Sequence, residues 1–424
     1  MEPTHPPAPQ DGALAVRGDE APSTRAEAGG QPGHAAARHD LCSVAQTGGS
    51  PPGRVYHDIM MGEVHRVAVG LRLLPLLRLL RRVQNCPSNH RRLVVATTLL
   101  PEILPTITPL PDTPPPAAWT VHRIAATDSD KTVLAIGPAG RPPAALLKLA
   151  SPDDAAMMSL RRQVHVLTML HVDGRLAEWR ALLPTLLAVG EIDGHAYIVE
   201  QLLPGREASA VLSSPVARVR MQVAAARAIR QLHRLTAASV VVDAGLLERW
   251  IDAPLQLVRH VTATLPRAAG NARASERLAA ELRAALAGRT LSVCTVHGDF
   301  TPRNILVSPD GATLTGIVDW ELAAQDDLPL LDLLLLLLSV RMVVHRCELG
   351  TIVRALLDGA EWLHHERALV EAAELALPGD AIGMRALVLL CWLRYVAASL
   401  RKSQYLAGHR LWMMTNIATV LQSV

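Results

Sequence analysis

The chain has 424 residues, of which 50% are hydrophobic, 19% are charged and 3% are aromatic, and its formal net charge is +3. This content can fill a large core, and so mild a positive charge does not imply a dedicated nucleic-acid-binding surface. The five cysteines include no Cys-x-x-Cys pair, which fits a reducing compartment better than a disulfide framework. We therefore expect a cytoplasmic protein that does not bind nucleic acid.

Residues 1–53 differ in composition from the rest of the chain. They are rich in Pro, Gly, Ala, Ser and charged residues and have almost no large apolar side chains. Such a segment cannot bury enough surface to fold, so we expect a disordered low-complexity tail. The first thirty residues also lack the pattern of a signal peptide, so secretion is not indicated.

Residues 54–116 are predicted to form a basic amphipathic segment followed by a Pro-rich linker. Between 65 and 83, Leu73, Leu76, Leu77 and Leu80 share one helical face, and arginines lie on the other side. We favour a helix that packs on the folded domain. Peripheral contact of 65–83 with an anionic membrane surface or a partner is the alternative. The linker spans 105–116, where prolines are frequent.

The next apolar runs predict strands and one helix. Residues 120–124 and 132–136 have strand patterns, and the loop between them has no glycine. Residues 144–150 form an apolar strand that contains Lys148, and a lone lysine needs a partner if it is buried there. Apolar residues at mostly helical spacing then predict a helix over 155–170: Met158, Leu160, Val164, Leu167, Met169 and Leu170.

Beyond a strand over 196–203 that ends at a Pro-Gly turn, the chain is predicted to be mainly helical. His233 closes an Ala-rich helix and is expected to be a structural hydrogen-bonding group, because no second His or Cys stands at metal-binding spacing. The leucine run at 333–338 is too short to span a bilayer. We therefore expect no integral membrane span, and the sequence indicates no oligomeric state.

The most informative stretch is 296–307, which reads Val-His-Gly-Asp-Phe-Thr-Pro-Arg-Asn-Ile-Leu-Val and is followed by Asp-Trp-Glu at 319–321. Asp299 and Asn304 lie on a loop that enters a strand, and Asp319 closes the strand that returns. Ser-Pro-Asp-Gly at 308–311 predicts a tight turn between the two strands, with a positive φ at the glycine. The hairpin therefore brings Asn304 and Asp319 to the same open end.

The side chains of this stretch suit one kind of chemistry. Asn304 and Asp319 offer the amide and carboxylate oxygens that Mg²⁺ takes, beside waters and substrate phosphates. Phosphoryl transfer also requires a carboxylate near the attacking hydroxyl, and Asp299 is close in sequence. A turn or a surface hairpin explains any one of these residues alone, but it does not explain the whole set in this order.

The stretch resembles the catalytic-loop signature of the aminoglycoside phosphotransferase and choline kinase family: His-Gly-Asp, four residues, Asn, and a later Asp-Trp-Glu. The resemblance implies an α+β, bilobal protein-kinase-like fold, with a small antiparallel-sheet lobe over 117–204 and a larger, mainly helical lobe over 205–424. It also implies catalytic roles for two residues, with Asp299 as the base and His297 as the histidine that braces the loop. Asn304 and Asp319 would bind Mg²⁺.

The resemblance continues at 329–333, where Pro-Leu-Leu-Asp-Leu matches a family segment, Pro-x-x-Asp-Leu, that opens a buried helix behind the site. Asp327 stands where the family often has Gly. This is a departure from the pattern.

The resemblance further implies that ATP binds between the lobes, with Lys148 on the nucleotide phosphates and Ser129 as the contact from the glycine-free loop. In protein kinases and many relatives a helix Glu pairs with this lysine. This chain has Gln163 there, which can hydrogen-bond an ammonium but cannot neutralise it. Either another carboxylate serves Lys148, or the phosphates are its only strong counter-charge.

The expected reaction is transfer of the ATP γ-phosphoryl group to a hydroxyl of an amino sugar, a sugar or an amino alcohol. Low aromatic content disfavours choline, which is usually held in an aromatic cage. The aromatic residues available for such a cage are Trp362, Trp392, Tyr395 and Trp412. The alternative is a catalytically silent kinase-like module that binds nucleotide or a partner, which Gln163 and the glycine-free loop favour and Asp299, Asn304 and Asp319 oppose.

Overall fold

The computed structural model describes residues 87–125, 131–374, 379–402 and 404–424. The predicted tail, the segment 65–83 and Ser129 lie outside these ranges. The strands are β1 Trp119–Ala125, β2 Lys131–Pro138, β3 Ala145–Ala150, β4 Leu186–Ile192, β5 His195–Gln201, β6 Arg206–Glu207, β7 Ala238–Val241, β8 Thr290–Val296, β9 Ile305–Val307, β10 Leu314–Ile317 and β11 Ala324–Asp327.

The α-helices in these ranges are α1 Pro87–Ile103, α2 Asp154–Val172, α3 Pro215–Thr236, α4 Ala244–Leu247, α5 Ala253–Thr262, α6 Ala268–Leu286, α7 Leu330–His345, α8 Leu349–Leu357, α9 His364–Glu374, α10 Met384–Lys402, α11 Gln404–Gly408, α12 Arg410–Met413 and α13 Thr419–Leu421. Most of the helical residues follow β5. The chain therefore has a sheet-containing part first and a larger helical part second, as the sequence predicts.

The small lobe is built on a five-stranded sheet in the order β1-β2-β3-β5-β4, and every neighbouring pair is antiparallel. Because side chains alternate along a strand, β3 presents Leu147 and Leu149 to one face and Lys148 to the other. The leucines belong to a core that includes residues of α1, whereas Ala150 on the Lys148 face packs with α2. The sheet thus has one mainly apolar face and one that carries a cation.

Helix α1 covers the apolar face of the sheet. Its buried residues recur at helical spacing and pack on β1, β2 and β3: Leu93, Ala96, Leu99, Leu100 and Ile103. The chain then runs to β1 through Ile107, which is also buried in this core. The packed part of the small lobe therefore begins within α1. The resemblance to the family implies a later start, at residue 117.

Helix α2 packs on the opposite face, near Lys148. The Asp153 side chain caps its first turn by accepting a hydrogen bond of 2.7 Å from the Ala155 N–H. The buried side chains of the helix are Ala156, Leu160, Gln163, Leu167 and Leu170. Met158 and Met169, both predicted on the apolar face, are exposed. Gln163 therefore lies in the buried row, facing the sheet.

The large lobe is organised around α7, which carries the leucine run. All six leucines from Leu333 to Leu338 are buried, because α3, α8, α9 and α10 pack around this helix. A helix that is apolar on every side has to be buried in this way. Within the described ranges, no helix has both the length and the apolar character that crossing a membrane requires.

Asp327, the departure from the family's Gly, is buried and forms a bidentate ion pair with Arg394. The Arg394 guanidinium donates to Asp327 Oδ2 at 2.5 Å and to Oδ1 at 3.2 Å. Arg394 lies in the middle of α10, and Asp327 ends β11. The pair therefore attaches the segment before α7 to a second buried helix.

Replacing Arg394 by Met should lower the free energy of unfolding by about 3 kcal/mol, because it leaves the buried Asp327 carboxylate without its cation. The double variant Asp327→Asn/Arg394→Met should recover part of this loss, since no charge then stays buried. Urea denaturation followed by circular dichroism measures both.

The matched control is Arg385→Met on the same helix. Arg385 pairs with Glu281 at 2.7 Å, but Arg385 is exposed and Glu281 is only partly buried, so this loss should stay within about 1 kcal/mol. Equal urea midpoints for Arg394→Met and the double variant would show that the buried charge is not the cause.

Candidate functional site

The loop after β8 begins with His297, Gly298 and Asp299, and its shape depends on the glycine. Gly298 has a φ of 77°, and a Cβ at this position would lie 2.2 Å from the Leu322 carbonyl oxygen. Both the positive φ and the close approach of backbone exclude a side chain. The loop can therefore turn against the segment after Asp319 only because residue 298 is glycine.

The buried carboxylate of Asp332 holds this loop from behind. Asp332 Oδ2 accepts a hydrogen bond from the His297 N–H at 2.7 Å, and Oδ1 accepts one from the Gly298 N–H at 2.9 Å. The His233 ring donates to Oδ2 at 3.1 Å, which agrees with the structural role expected for His233. Burial opposes the charged form of Asp332, but these hydrogen bonds lower its pKa.

His297 lies fully inside the structure. Its Nε2 donates to the Val318 carbonyl at 2.9 Å, and its Nδ1 accepts from the Asp299 N–H at 3.2 Å. The ring also packs on Trp320, with ring centroids 4.6 Å apart. One ring nitrogen thus ties the loop to the segment after β10, and the other holds the loop together internally.

The β9–β10 hairpin has the geometry that the sequence predicts. Ile305 lies opposite Ile317, the Val318 N–H donates to the Asn304 carbonyl at 2.9 Å, and Gly311 in the turn has a φ of 73°. The Asn304 side-chain amide donates to the Asp299 carbonyl at 2.9 Å. Asn304 and the segment leading to Asp319 therefore meet at the open end of the hairpin, next to Asp299.

Lys148 reaches this end from the sheet lobe. Its Nζ lies 2.5 Å from Asp319 Oδ1 and 3.0 Å from Glu200 Oε2. Burial works against the charged ammonium, but Asp319 and Glu200 together raise the pKa of Lys148 above its ordinary value. The Lys148 charge in turn lowers the pKa of Asp319 to about 2. The predicted lysine and the predicted carboxylate thus form one ion pair across the cleft.

Glu200 is the carboxylate that pairs with Lys148 in place of the helix Glu. It lies on β5, is 1% exposed, and accepts a hydrogen bond from the Gln163 side chain. Burial raises the pKa of Glu200, and the Lys148 charge opposes that rise. Sequence reasoning missed this residue, although a single Glu inside the apolar run at 196–203 is a signal of the same kind as Lys148.

Two further lysines line the cleft, and neither was predicted. Lys402, the last residue of α10, lies 2.9 Å from Asp299 Oδ2 and 3.1 Å from Glu321 Oε1. Lys131, the first residue of β2, pairs with Glu321 and lies 2.9 Å from Ser159 Oγ. Burial and the nearby Lys148 charge lower the pKa of Lys131 to about 8. Three ammonium groups from distant parts of the sequence therefore converge around the predicted carboxylates.

The side chains expected to bind Mg²⁺ are Asn304 and Asp319. Within the part of the chain that the structure describes, no group of three or more His, Cys, Asp or Glu side chains can hold a metal ion. Asn304 and Asp319 supply one amide and one carboxylate, and the Asp319 side chain is 47% exposed. This donor set suits an ion that completes its coordination with water and phosphate oxygens.

An aromatic cage for a quaternary ammonium receives little support from the geometry. Trp392 is fully buried in the helical core and donates to the Asn416 carbonyl. Trp362 packs on the Arg341 guanidinium, with the cation 5.0 Å from the ring centroid. At least two of the four aromatic residues considered for a choline cage are thus occupied elsewhere.

Gly298→Ala should remove catalytic activity and destabilise the protein, because the new methyl group meets the Leu322 carbonyl at a position with positive φ. Gly194→Ala is the matched control: its φ is 74°, and nothing lies within 4 Å of the added Cβ. The control should cost only about 1 kcal/mol for the backbone conformation. Activity assays and thermal unfolding compare the two, and equal losses would contradict the steric explanation.

Asp332→Asn should cost about 2–4 kcal/mol near neutral pH, because two backbone N–H groups lose a charged acceptor. The native pKa of Asp332 is below its unfolded value, so its stabilisation is present above about pH 4 and is lost as pH falls through the native pKa. The gap in unfolding free energy between wild type and variant should therefore shrink in acid.

Asp252→Asn, which alters a partly exposed ion pair with Arg283, serves as the control for this measurement. Urea unfolding at a series of pH values provides the comparison. A gap that stays constant or widens below pH 4 would show that the charge of Asp332 does not hold the loop.

Comparison with known proteins adds to this description. A family model for the phosphotransferase enzyme family matches residues 120–370, more than half of the chain. Among solved structures, an aminoglycoside-3'-phosphotransferase of type VIII is 19% identical, with a TM-score of 0.38, and the match covers 69% of this chain and 100% of the other. A search of curated proteins found no match.

Two other solved structures are similar at the same level. APH(3'')-Id from Streptomyces rimosus ATCC10970, an aminoglycoside phosphotransferase in complex with ADP and streptomycin, is 18% identical with a TM-score of 0.43, covering 71% of this chain and 98% of the other. A glucosamine kinase is 19% identical with a TM-score of 0.40, covering 77% and 84%. The small antiparallel sheet followed by a larger helical part agrees with the expected bilobal fold. The family model shows that the chain belongs to the phosphotransferase enzyme family.

Proposed function

We propose that the protein transfers the γ-phosphoryl group of ATP to a hydroxyl group of a small molecule, namely an amino sugar, a sugar or an amino alcohol. The observation that carries this proposal is the contact across the cleft, where Lys148 lies 2.5 Å from Asp319. Asp299 and Asn304 are beside this contact and are joined to each other by a hydrogen bond. Phosphoryl transfer depends on positioning and charge stabilisation, which such a convergence of charges supplies.

Asp299 is the proposed base. Its carboxylate accepts the proton of the acceptor hydroxyl while the hydroxyl oxygen bonds to the γ-phosphorus and the bond to the β,γ-bridging oxygen breaks, releasing ADP. The backbone of Asp299 is held on both sides, since its N–H donates to His297 and its carbonyl accepts from Asn304. His297 therefore contributes by positioning the base.

Asn304 and Asp319 are the proposed ligands of Mg²⁺. Their amide and carboxylate oxygens match what this ion takes, and the partial exposure of Asp319 leaves room for it. Bound there, Mg²⁺ would neutralise charge on the phosphates. Lys148 keeps the buried Glu200 as a partner when Asp319 binds the ion, so its ammonium stays available for the α- and β-phosphates.

In this proposal the acceptor hydroxyl displaces Lys402 from Asp299. The Lys402 ammonium bridges Asp299 and Glu321 at 2.9 and 3.1 Å, and its side chain is one-third exposed. The hydroxyl takes over the contact with Asp299 as the acceptor binds. The Lys402 ammonium then keeps its contact with Glu321.

The test is transfer of labelled γ-phosphate from ATP across panels of amino sugars, sugars and amino alcohols, with and without Mg²⁺. One class should be phosphorylated only with Mg²⁺ present. Asp299→Ala should lower turnover by about 10²–10⁴-fold, because general-base catalysis contributes this much, while ADP affinity in calorimetry stays within about threefold of wild type. Asp358→Asn alters an exposed carboxylate in a surface ion pair and should keep full turnover.

Two results would contradict the proposal. Unchanged turnover in Asp299→Ala would mean that another group is the base. Binding of ADP without transfer to any member of the panels would favour the alternative, a catalytically silent kinase-like module.

A further inference from the structure

The carboxylate that pairs with the buried Lys148 comes from the sheet and not from the helix. Lys148 on β3 lies opposite Ile198 on β5, so Glu200, two residues further along β5, points to the same face of the sheet. Glu200 Oε2 lies 3.0 Å from Lys148 Nζ. In protein kinases the corresponding carboxylate belongs to the helix behind the lysine, where this chain has Gln163.

Gln163 serves the ion pair as a hydrogen-bond donor. Its side-chain amide donates to Glu200 Oε1, while the other Glu200 oxygen faces Lys148. Gln163 is 0%, Glu200 1% and Lys148 5% exposed, so water does not compete for these contacts. Three buried side chains from α2, β5 and β3 thus form one series, in which the amide orients the carboxylate and the carboxylate holds the ammonium.

We propose that Glu200 is a positioning residue for phosphoryl transfer, which holds the Lys148 ammonium in place for the nucleotide phosphates while Gln163 fixes the orientation of the Glu200 carboxylate. This inference rests on the proposed function. Asp319 cannot take this role alone, because its side chain is half-exposed and is the proposed ligand of Mg²⁺. The charge that positions the lysine therefore lies within the sheet, and α2 supplies only an amide.

A double-mutant cycle tests this arrangement, using Glu200→Gln, Gln163→Glu and the two combined. Glu200→Gln removes the counter-charge and should lower kcat at least about tenfold, with ADP affinity within about threefold of wild type. Gln163→Glu puts two carboxylates side by side and should also lower kcat. The combined variant moves the carboxylate to α2 with the same total charge, so kcat should recover to within about threefold of wild type.

The same four proteins are compared in urea unfolding, which requires no nucleotide and no acceptor. Glu200→Gln should lower the folded-to-unfolded equilibrium constant at least about tenfold, and the combined variant should recover most of that loss. This measurement separates the two proposals. If the wild type transfers no phosphate, the proposed function fails, and recovery of stability in the combined variant still shows that Gln163 and Glu200 act as a pair.

Glu191→Gln is the matched control. Glu191 lies on β4 of the same sheet and pairs with Arg161 of α2 at 3.0 Å, but both side chains are exposed, so kcat and stability should not change. Two results would overturn the inference. One is a Glu200→Gln protein that turns over like wild type. The other is a combined variant whose losses are the sum of the single losses, since independent sites show no coupling.

Discussion

The buried ammonium of Lys148 is the constraint on which the cleft depends. A charge in an apolar strand is tolerated only if it is paired. The partners of Lys148 are Glu200 on the neighbouring strand and Asp319 from the other lobe, and Gln163 of α2 donates a hydrogen bond to Glu200. These contacts therefore connect β3 with β5, with α2 and with the end of the hairpin. The ion pair between Lys148 and Asp319 joins the two lobes.

The same principle operates in the helical lobe, where buried carboxylates organise backbone. Asp332 accepts two N–H groups of the loop that leads to Asp299, and Asp327 accepts the Arg394 guanidinium. Asp332 lies behind the cleft and holds the loop that enters it, and Asp327 attaches the segment before α7 to α10. The groups proposed to contact substrates are thus held by side chains that substrates do not touch, which is how a site is preorganised.

Sequence reasoning succeeded where the determinants are local. The turn at Gly311 and the strands beside it bring Asn304 and Asp319 to one end, and a single lysine in an apolar strand marked Lys148. It failed where partners are distant in sequence: Lys402 lies 103 residues from Asp299, and Glu200 meets Lys148 only through strand pairing. Gln163 showed that a carboxylate was missing from the helix, but only the sheet register shows which residue replaces it.

The packing of helix α1 on the sheet limits where the chain can be truncated. The family match begins at residue 120, and a truncation made there would look natural on sequence grounds. It would nevertheless uncover the leucine-rich side of the sheet on which Leu93, Leu100 and Ile103 rest. A sheet bared in this way tends to associate with other copies, so an expression fragment should retain α1 if it is to remain monodisperse.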